Sequence, residues 1–199
     1  MARKYDSARR QASATQTRQA IVEAAVKLHG LGITTLSAVA DEAGVSLPTV
    51  NKYFPTREDL FGACTRHVAE RLEVVSPAEL AAIADPVERL AAVVRQLFAL
   101  FEQVLGQAWT GYVLEGESPV LAAAMAETDG LARMIADVLF EDEAPPDGLR
   151  CFVYGLLHPL TYRALRVKQG LSADEAVDYM VLTLGRLLDI APPCPGKHR

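Results

Sequence analysis

The chain has 199 residues, half of them hydrophobic, and a net charge of −5. That is enough for one ordinary domain, or for a small module joined to a larger one, and it excludes wholesale disorder. No uncharged apolar run approaches the roughly 18 residues of a membrane span, and the start, MARKYDSARRQ, has no apolar stretch behind it, so neither a membrane protein nor a secretory signal is expected.

The charge is unevenly spread. Residues 1–66 hold nine Lys/Arg against six Asp/Glu, a balance of +3, whereas the other 133 hold eleven against nineteen, a balance of −8. Arg3, Lys4, Arg9, Arg10 and Arg18 are offset in the first eighteen residues by Asp6 alone. A basic end on an acidic body points to a polyanion at that end, although a solvated leader would carry the same charges. Cys64, Cys151 and Cys194, odd in number and far apart, read as reduced thiols of a cytoplasmic protein.

In chain order nearly everything reads as helix, because Val, Ile and Thr never alternate with polar residues long enough for a strand. Residues 1–16 form a basic, flexible arm. From Thr17, Ile21, Ala24, Ala25 and Leu28 repeat at helical spacing until Gly30 and Gly32. Thr35 caps a short helix over Leu36–Ala43, Gly44 supplies a left-handed turn, and Ser46 caps a second over Leu47–Tyr53. Pro55 ends it. Thr56 caps a long helix from Arg57, with Glu58 and Asp59 favouring its dipole.

The second half opens after Ser76-Pro77. Asp85-Pro86 starts VERLAAVVRQLFALFEQVL, whose Leu90, Val94, Leu97, Phe98, Phe101 and Leu105 form a wide apolar stripe. Gly106, Gly111 and Gly116 bracket a short helix with Trp109 and Tyr112. Another helix spans about Pro119–Phe140, EDEAPPDG is an acidic loop, and two long helices follow over about Leu149–Gln169 and Ser172–Ile190. Ser172 and Glu175 make a capping box.

The two short helices around Gly44 have the pattern of a helix-turn-helix. Ala40 and Ala43 let the helices approach, Val45 can plug the angle between them, and Pro48 stiffens the start of the second. Thr49, Asn51, Lys52 and Tyr53 are then left on or beside the outer surface. Thr can touch a thymine methyl, Asn can bond an adenine edge bidentately, and Lys and Tyr suit phosphates. Arg57 at the next helix start is a further phosphate clamp. An ordinary pair of core helices with a polar outside would share the bare helix–Gly–helix spacing.

The whole string ITTLSAVADEAGVSLPTVNKYFPTREDLF resembles the signature of TetR-family (tetracycline-repressor-like) transcriptional regulators. The resemblance rests on Thr34-Thr35, Ala40 with Ala43-Gly44-Val45-Ser46, Thr49-Val50, Tyr53-Phe54 and Arg57-Glu58 followed by Leu60-Phe61. IVEAAVKLHGLG, Ile21–Gly32, is similar to that family's first helix, so the resemblance covers about residues 17–65. Asn51 stands where an aromatic is commoner and Pro48 where glycine is commoner, which bears on the bases read.

The resemblance implies an all-α homodimer: a three-helix DNA-binding module over 17–64, and a helical bundle over 65–199 that binds a ligand and dimerises. It implies a palindromic double-stranded DNA operator, a small-molecule effector, no cofactor and no enzymatic activity. The DNA-contacting set is then Arg18, Thr35, Ser46, Leu47, Pro48, Thr49, Asn51, Lys52, Tyr53 and Arg57. Dimer contacts are expected from Leu156, Leu160, Ala164, Val177, Val181, Leu184 and Leu188; on spacing alone these also fit an internal core.

Aromatic and polar residues of the second half suggest a pocket for a largely apolar or aromatic molecule, lined by Phe98, Phe101, Trp109, Tyr112, Met125, Tyr154, His158 and Tyr162. In YGLLHPLTY, Pro159 removes a bond to the Gly155 carbonyl and predicts a kink. A core-filling role for the same aromatics goes with a different reading, a DNA-bound protein of this fold controlled by a protein partner. Cys64 and His67 share a helix face, but two ligands do not make a zinc site. No phosphate loop or nucleophile motif is present, so an enzyme is not expected.

Overall fold

The computed structural model describes residues 2–141 and 145–190, and the side chains within these ranges from residue 11 on. The middle of the acidic loop, Cys194, and the side chains of Arg3, Lys4, Arg9 and Arg10 lie outside the described residues. Every element described is helical: α1 (Ala2–His29), α2 (Leu36–Glu42), α3 (Leu47–Tyr53), α4 (Arg57–Ala69), α5 (Pro77–Ala81), α6 (Pro86–Gln103), α7 (Leu105–Leu114), α8 (Pro119–Ala136, prolonged by a 3-10 turn Asp137–Phe140), α9 (Asp147–Leu156), α10 (Pro159–Arg163, prolonged by a π turn Ala164–Lys168) and α11 (Ala173–Leu187).

Helix α1 begins fifteen residues before the start at Thr17 that its apolar pattern marks. Residues 2–16, read above as a flexible arm, contain neither Gly nor Pro and are rich in Ala, Arg and Gln, so intrinsic propensity continues the helix without an apolar face.

The chain divides into two compact units, Met1–Arg71 with Gly106–Met125, and Leu72–Leu105 with Ala126–Arg199. This departs from a single boundary near residue 65. In the first unit Ile21, Ala25, Val39, Val50, Phe54 and Leu60 form the core shared by α1 to α4. Helix α7 joins them through polar and backbone contacts that hydrophobic periodicity does not display. A side-chain carbon on Gly106 would lie 2.2 Å from the Gly30 carbonyl oxygen, so the two backbones meet there because residue 106 is glycine. The Thr110 hydroxyl donates at 2.6 Å to the His29 carbonyl, which also accepts from the Gly32 N–H at 3.0 Å where α1 ends.

In the second unit α6 buries Leu90, Val93, Val94, Leu97, Phe98 and Phe101 against Ile135, Val153, Leu157, Tyr162, Ala176, Met180 and Leu184. Burying each large apolar side chain stabilises by about 1.5–3 kcal/mol. The long helix expected over Leu149–Gln169 is broken. His158 has extended backbone angles and caps α10, its Nδ1 accepting from the Leu160 N–H at 3.1 Å. Pro159 cannot donate to the Gly155 carbonyl, and the Thr161 hydroxyl takes that place at 2.6 Å. The Ser76-Pro77 signal opens a helix of its own, α5, with a complete capping box.

Candidate functional site

Thr35 caps α2 by accepting from the Ala38 N–H at 3.4 Å. Val39 and Ala40 are buried against the core. Gly44 has φ +65°, which turns the chain back so that the Val45 N–H reaches the Ala40 carbonyl at 3.0 Å. Ser46 then caps α3: its hydroxyl oxygen accepts from the Thr49 N–H at 3.3 Å and lies 2.8 Å from the Thr49 hydroxyl.

Val50 and Phe54 pin α3 from beneath, both fully buried. That leaves Leu47, Pro48, Asn51 and Lys52 exposed, with Thr49 and Tyr53 half-buried beside them. An exposed amide and ammonium one residue apart on a helix held from below can reach a base edge and a phosphate respectively.

Three cations lie on or beside α3, each held over a ring. Arg18 lies over Phe54, Lys52 lies 5.6 Å from the centre of Tyr53, and Arg57 lies 5.2 Å from the centre of Phe61. Arg57 opens α4, whose capping box is closed by Thr56 and Asp59. All ten residues expected to contact DNA lie in the first unit, on α1, α3 and α4 or, for Thr35 and Ser46, as the caps of α2 and α3, and all are exposed or half-buried.

Behind this surface sits His29, buried and edge-on to Phe61 at 5.2 Å. Burial, and then the positive charge of Arg57, push its imidazole down to about 4, so the ring is neutral at neutral pH. Its Nε2 has no hydrogen-bond partner among the described residues. Glu58, in the first turn of α4, accepts from the Ser118 hydroxyl at 2.7 Å and from the Val120 N–H at 3.4 Å. From the sequence Glu58 has only a dipole role; Ser118-Pro119, a cap followed by a first-turn proline, is the signal that marks its partner. Cys64 is buried, with its thiol pushed up to about 12, and His67 meets Gln19 at 3.4 Å. No group of three metal-ligating side chains comes together among the described residues.

The eight residues expected to line a ligand pocket separate. Trp109, Tyr112 and Met125 belong to the first unit. In the second, Phe98, Phe101 and Tyr162 pack together, the Phe98 and Tyr162 rings 4.5 Å apart. Tyr162 donates to Glu102 at 2.6 Å, and Arg166 donates to both oxygens of the same carboxylate. The Arg166 bonds, opposed by partial burial, hold Glu102 below its usual range. Tyr154 and His158 instead line a cleft of about 430 Å3 with Asp129, Ala132, Arg133, Ala136, Cys151, Gly155 and Leu157. His158 Nε2 lies 3.1 Å from Asp129, and the Tyr154 hydroxyl donates to Asp137. Burial and that bond push the Tyr154 phenol up to about 12. Asp129, Arg133 and Cys151 were not expected here, because the break at Pro159 that shapes the cleft carried no register information.

Of the residues expected at a dimer interface, Leu184 is fully buried in its own unit. It follows Ala176 and Met180 at four-residue spacing on the inward face of α11, which packs it in the core of its own unit. Leu160 and Ala164 are exposed, and Leu156, Val177, Val181 and Leu188 are half-buried. Phe152 and Tyr179, outside that set, are exposed apolar side chains of the same unit.

No helix among the described residues is long and apolar enough to cross a membrane. Residues 21–64 match the family model "Bacterial regulatory proteins, tetR family". No curated protein sequence matches the chain. Among solved structures, a transcriptional regulator from Rhodococcus sp. Rha1 is similar over 89% of this chain and 99% of its own, at 21% identity and a TM-score of 0.66. The TetR-like regulator LfrR from Mycobacterium smegmatis, solved in complex with proflavine, is similar over 92% of this chain and 99% of its own, at 26% identity and a TM-score of 0.54. NalD, the secondary repressor of the MexAB-OprM multidrug efflux pump in Pseudomonas aeruginosa, is similar over 86% and 96%, at 20% identity and 0.53. The helix-turn-helix thus lies inside residues that match the tetR-family regulator model, and the chain shares its all-helical fold with these transcriptional regulators.

Proposed function

We propose that the protein is a homodimeric repressor that reads a palindromic operator with α3 and is released by a small, largely apolar or aromatic effector. The observation that carries the DNA-reading part is the arrangement of α3: capped by Ser46, pinned by Val50 and Phe54, and presenting Asn51 and Lys52. One such helix covers only a few base pairs. Two-fold symmetry would place two of them about 34–36 Å apart, one turn of DNA, or a multiple of it. The exposed Phe152, Leu160 and Tyr179 of the second unit offer apolar surface for the partner subunit.

The cleft beside Tyr154 and His158 is the site we assign to the effector. Its floor is apolar, from Ala132, Ala136 and Leu157, and of its polar groups His158 is held by Asp129 and Tyr154 by Asp137, which suits an aromatic molecule with one or two hydrogen-bonding groups. Coupling is reciprocal, typically about 1–3 kcal/mol, so the effector weakens DNA binding as much as DNA weakens effector binding.

The packed Phe98–Phe101–Tyr162 cluster favours a second reading, in which the second unit answers to a protein partner. One titration separates the two. Operator-bound protein is challenged with planar aromatic compounds, proflavine among them, and the Tyr154→Ala variant is challenged alongside. Release of wild type, with a weakened response in Tyr154→Ala, supports the effector site. No release by any compound supports the protein-partner reading.

A further inference from the structure

We infer that Glu58 is a positioning residue for DNA reading: its carboxylate latches the start of α4 to the start of α8, and this bond sets the orientation in which α3 meets base edges. The inference rests on the assignment of α3 as the reader helix.

The latch is built from two helix N-termini. Glu58 lies in the first turn of α4, where a carboxylate is favoured by the helix dipole. Its oxygen Oε2 accepts from the Ser118 hydroxyl at 2.7 Å and from the Val120 N–H at 3.4 Å, in the first turn of α8. Ser118 is fully buried, and its oxygen also accepts from the Leu121 N–H at 3.2 Å. Glu58 and Ser118 together therefore satisfy N–H groups that the start of α8 leaves without intrahelical partners. A hydrogen bond to a charged acceptor in a part-buried site is stronger and more directional than a surface ion pair.

Packing supports the same contact. Gly62, one turn beyond Glu58, lies beside Val120, whose side chain an added methyl would meet at an ordinary contact distance of 3.6 Å. Arg57, the residue before Glu58, lies 3.9 Å from Glu117, the residue before Ser118. Arg57, Glu58 and Gly62 of α4 thus face Glu117 to Val120.

The reader helix is on the other side of the same short lever. Only residues 54–56 separate the end of α3 from the start of α4. Phe54 and Leu60 are fully buried in one core with Val50, so α3 and the first turn of α4 move together. Hydrogen bonds to base edges need the reader helix placed to within a fraction of an ångström, whereas phosphate attraction tolerates a tilt. Loss of the latch is therefore read as lost discrimination, with general DNA affinity retained.

The test uses the full chain and an operator selected by wild type from random duplexes. Glu58→Ala is expected to weaken operator binding about tenfold and to leave affinity for random DNA within about twofold. Glu58→Gln keeps an acceptor for the Ser118 and Val120 donors and should restore most of the loss. Ser118→Ala should resemble Glu58→Ala, and the double variant should be no weaker than the weaker single variant, because both changes remove one bond. A role in stability alone would lower the melting temperature and leave operator affinity as in wild type, which overturns the proposal. Losses that multiply in the double variant, or that are equal on random DNA, also overturn it. If Glu58→Ala does not fold, Ser118→Ala carries the same test, and wild-type operator binding by it overturns the latch. Wild type that does not discriminate operator from random DNA overturns the reader-helix assignment and the latch together. Unchanged discrimination in folded Glu58→Ala overturns the latch alone.

Discussion

The guanidinium carbon of Arg18 lies 5.0 Å from the centre of the Phe54 ring, so an exposed cation of α1 is held over the buried residue that closes the reader helix. Stacking on a buried ring orders a side chain that would otherwise sample many rotamers, and it holds the charge beside α3. Arg18→Ala should weaken binding to operator and random DNA alike. If Arg18 meets one phosphate, the salt dependence of binding should fall by about 0.9 in the log–log slope. Binding measured from low to moderate salt checks this; an unchanged slope would assign Arg18 to packing.

His29 predicts a pH dependence with a definite sign. Its imidazole titrates near 4 when folded, against 6.5 for a free side chain. Between those values the unfolded chain binds a proton that the folded chain does not. Its contribution is therefore complete above about pH 6.5 and is lost as pH falls, by about 3 kcal/mol at pH 4. Urea melts at pH 7 and pH 4.5 should show a larger loss for wild type than for His29→Leu, which has no group to protonate. Equal losses would place the unpaired Nε2 in contact with water.

The second unit allows its core and its outer face to be told apart. Leu184→Ala should lower stability by about 2–5 kcal/mol, as expected for a buried leucine. Phe152→Glu and Tyr179→Glu, at side chains exposed in the single chain, should leave the fold intact and lower the dimer fraction in light scattering. A fully dimeric Phe152→Glu, Tyr179→Glu double variant would move the interface elsewhere.

Local signals carried the DNA-facing side. Thr35, Gly44, Ser46 and Thr56 act through residues three or four positions away, and the structure finds each in the role its chemistry suggests. The end of one helix and the start of the next are matters of capping, which a sequence displays. What the sequence withheld depends on contacts between distant segments. Thr110 meets His29 and Ser118 meets Glu58 across 81 and 60 positions. Leu184 and Val181 have the same spacing relative to their neighbours, and only the packing of α6 against α11 decides that Leu184 points inward. Pro159 marked a kink, but it took the hydroxyl of Thr161 and the cap of His158 to turn that kink into a new helix start. The aromatics Phe98, Phe101 and Tyr162 have the composition of either a pocket or a core; their rings pack together in the core, and Phe98 and Tyr162 also line an open cavity of about 450 Å3.

The central claim is that the exposed face of α3 reads bases. It is tested most directly by the affinity of wild type and of Asn51→Ala for a selected operator, for operators changed one base pair at a time, and for random DNA. The account predicts that wild type prefers the selected palindrome by a thousandfold or more, on the order of a specific regulator. It also predicts that Asn51→Ala loses about 1–3 kcal/mol on the operator, with selectivity relaxed at one position of each half-site and affinity for random DNA retained. An Asn51→Ala variant with the full sequence preference of wild type would contradict it.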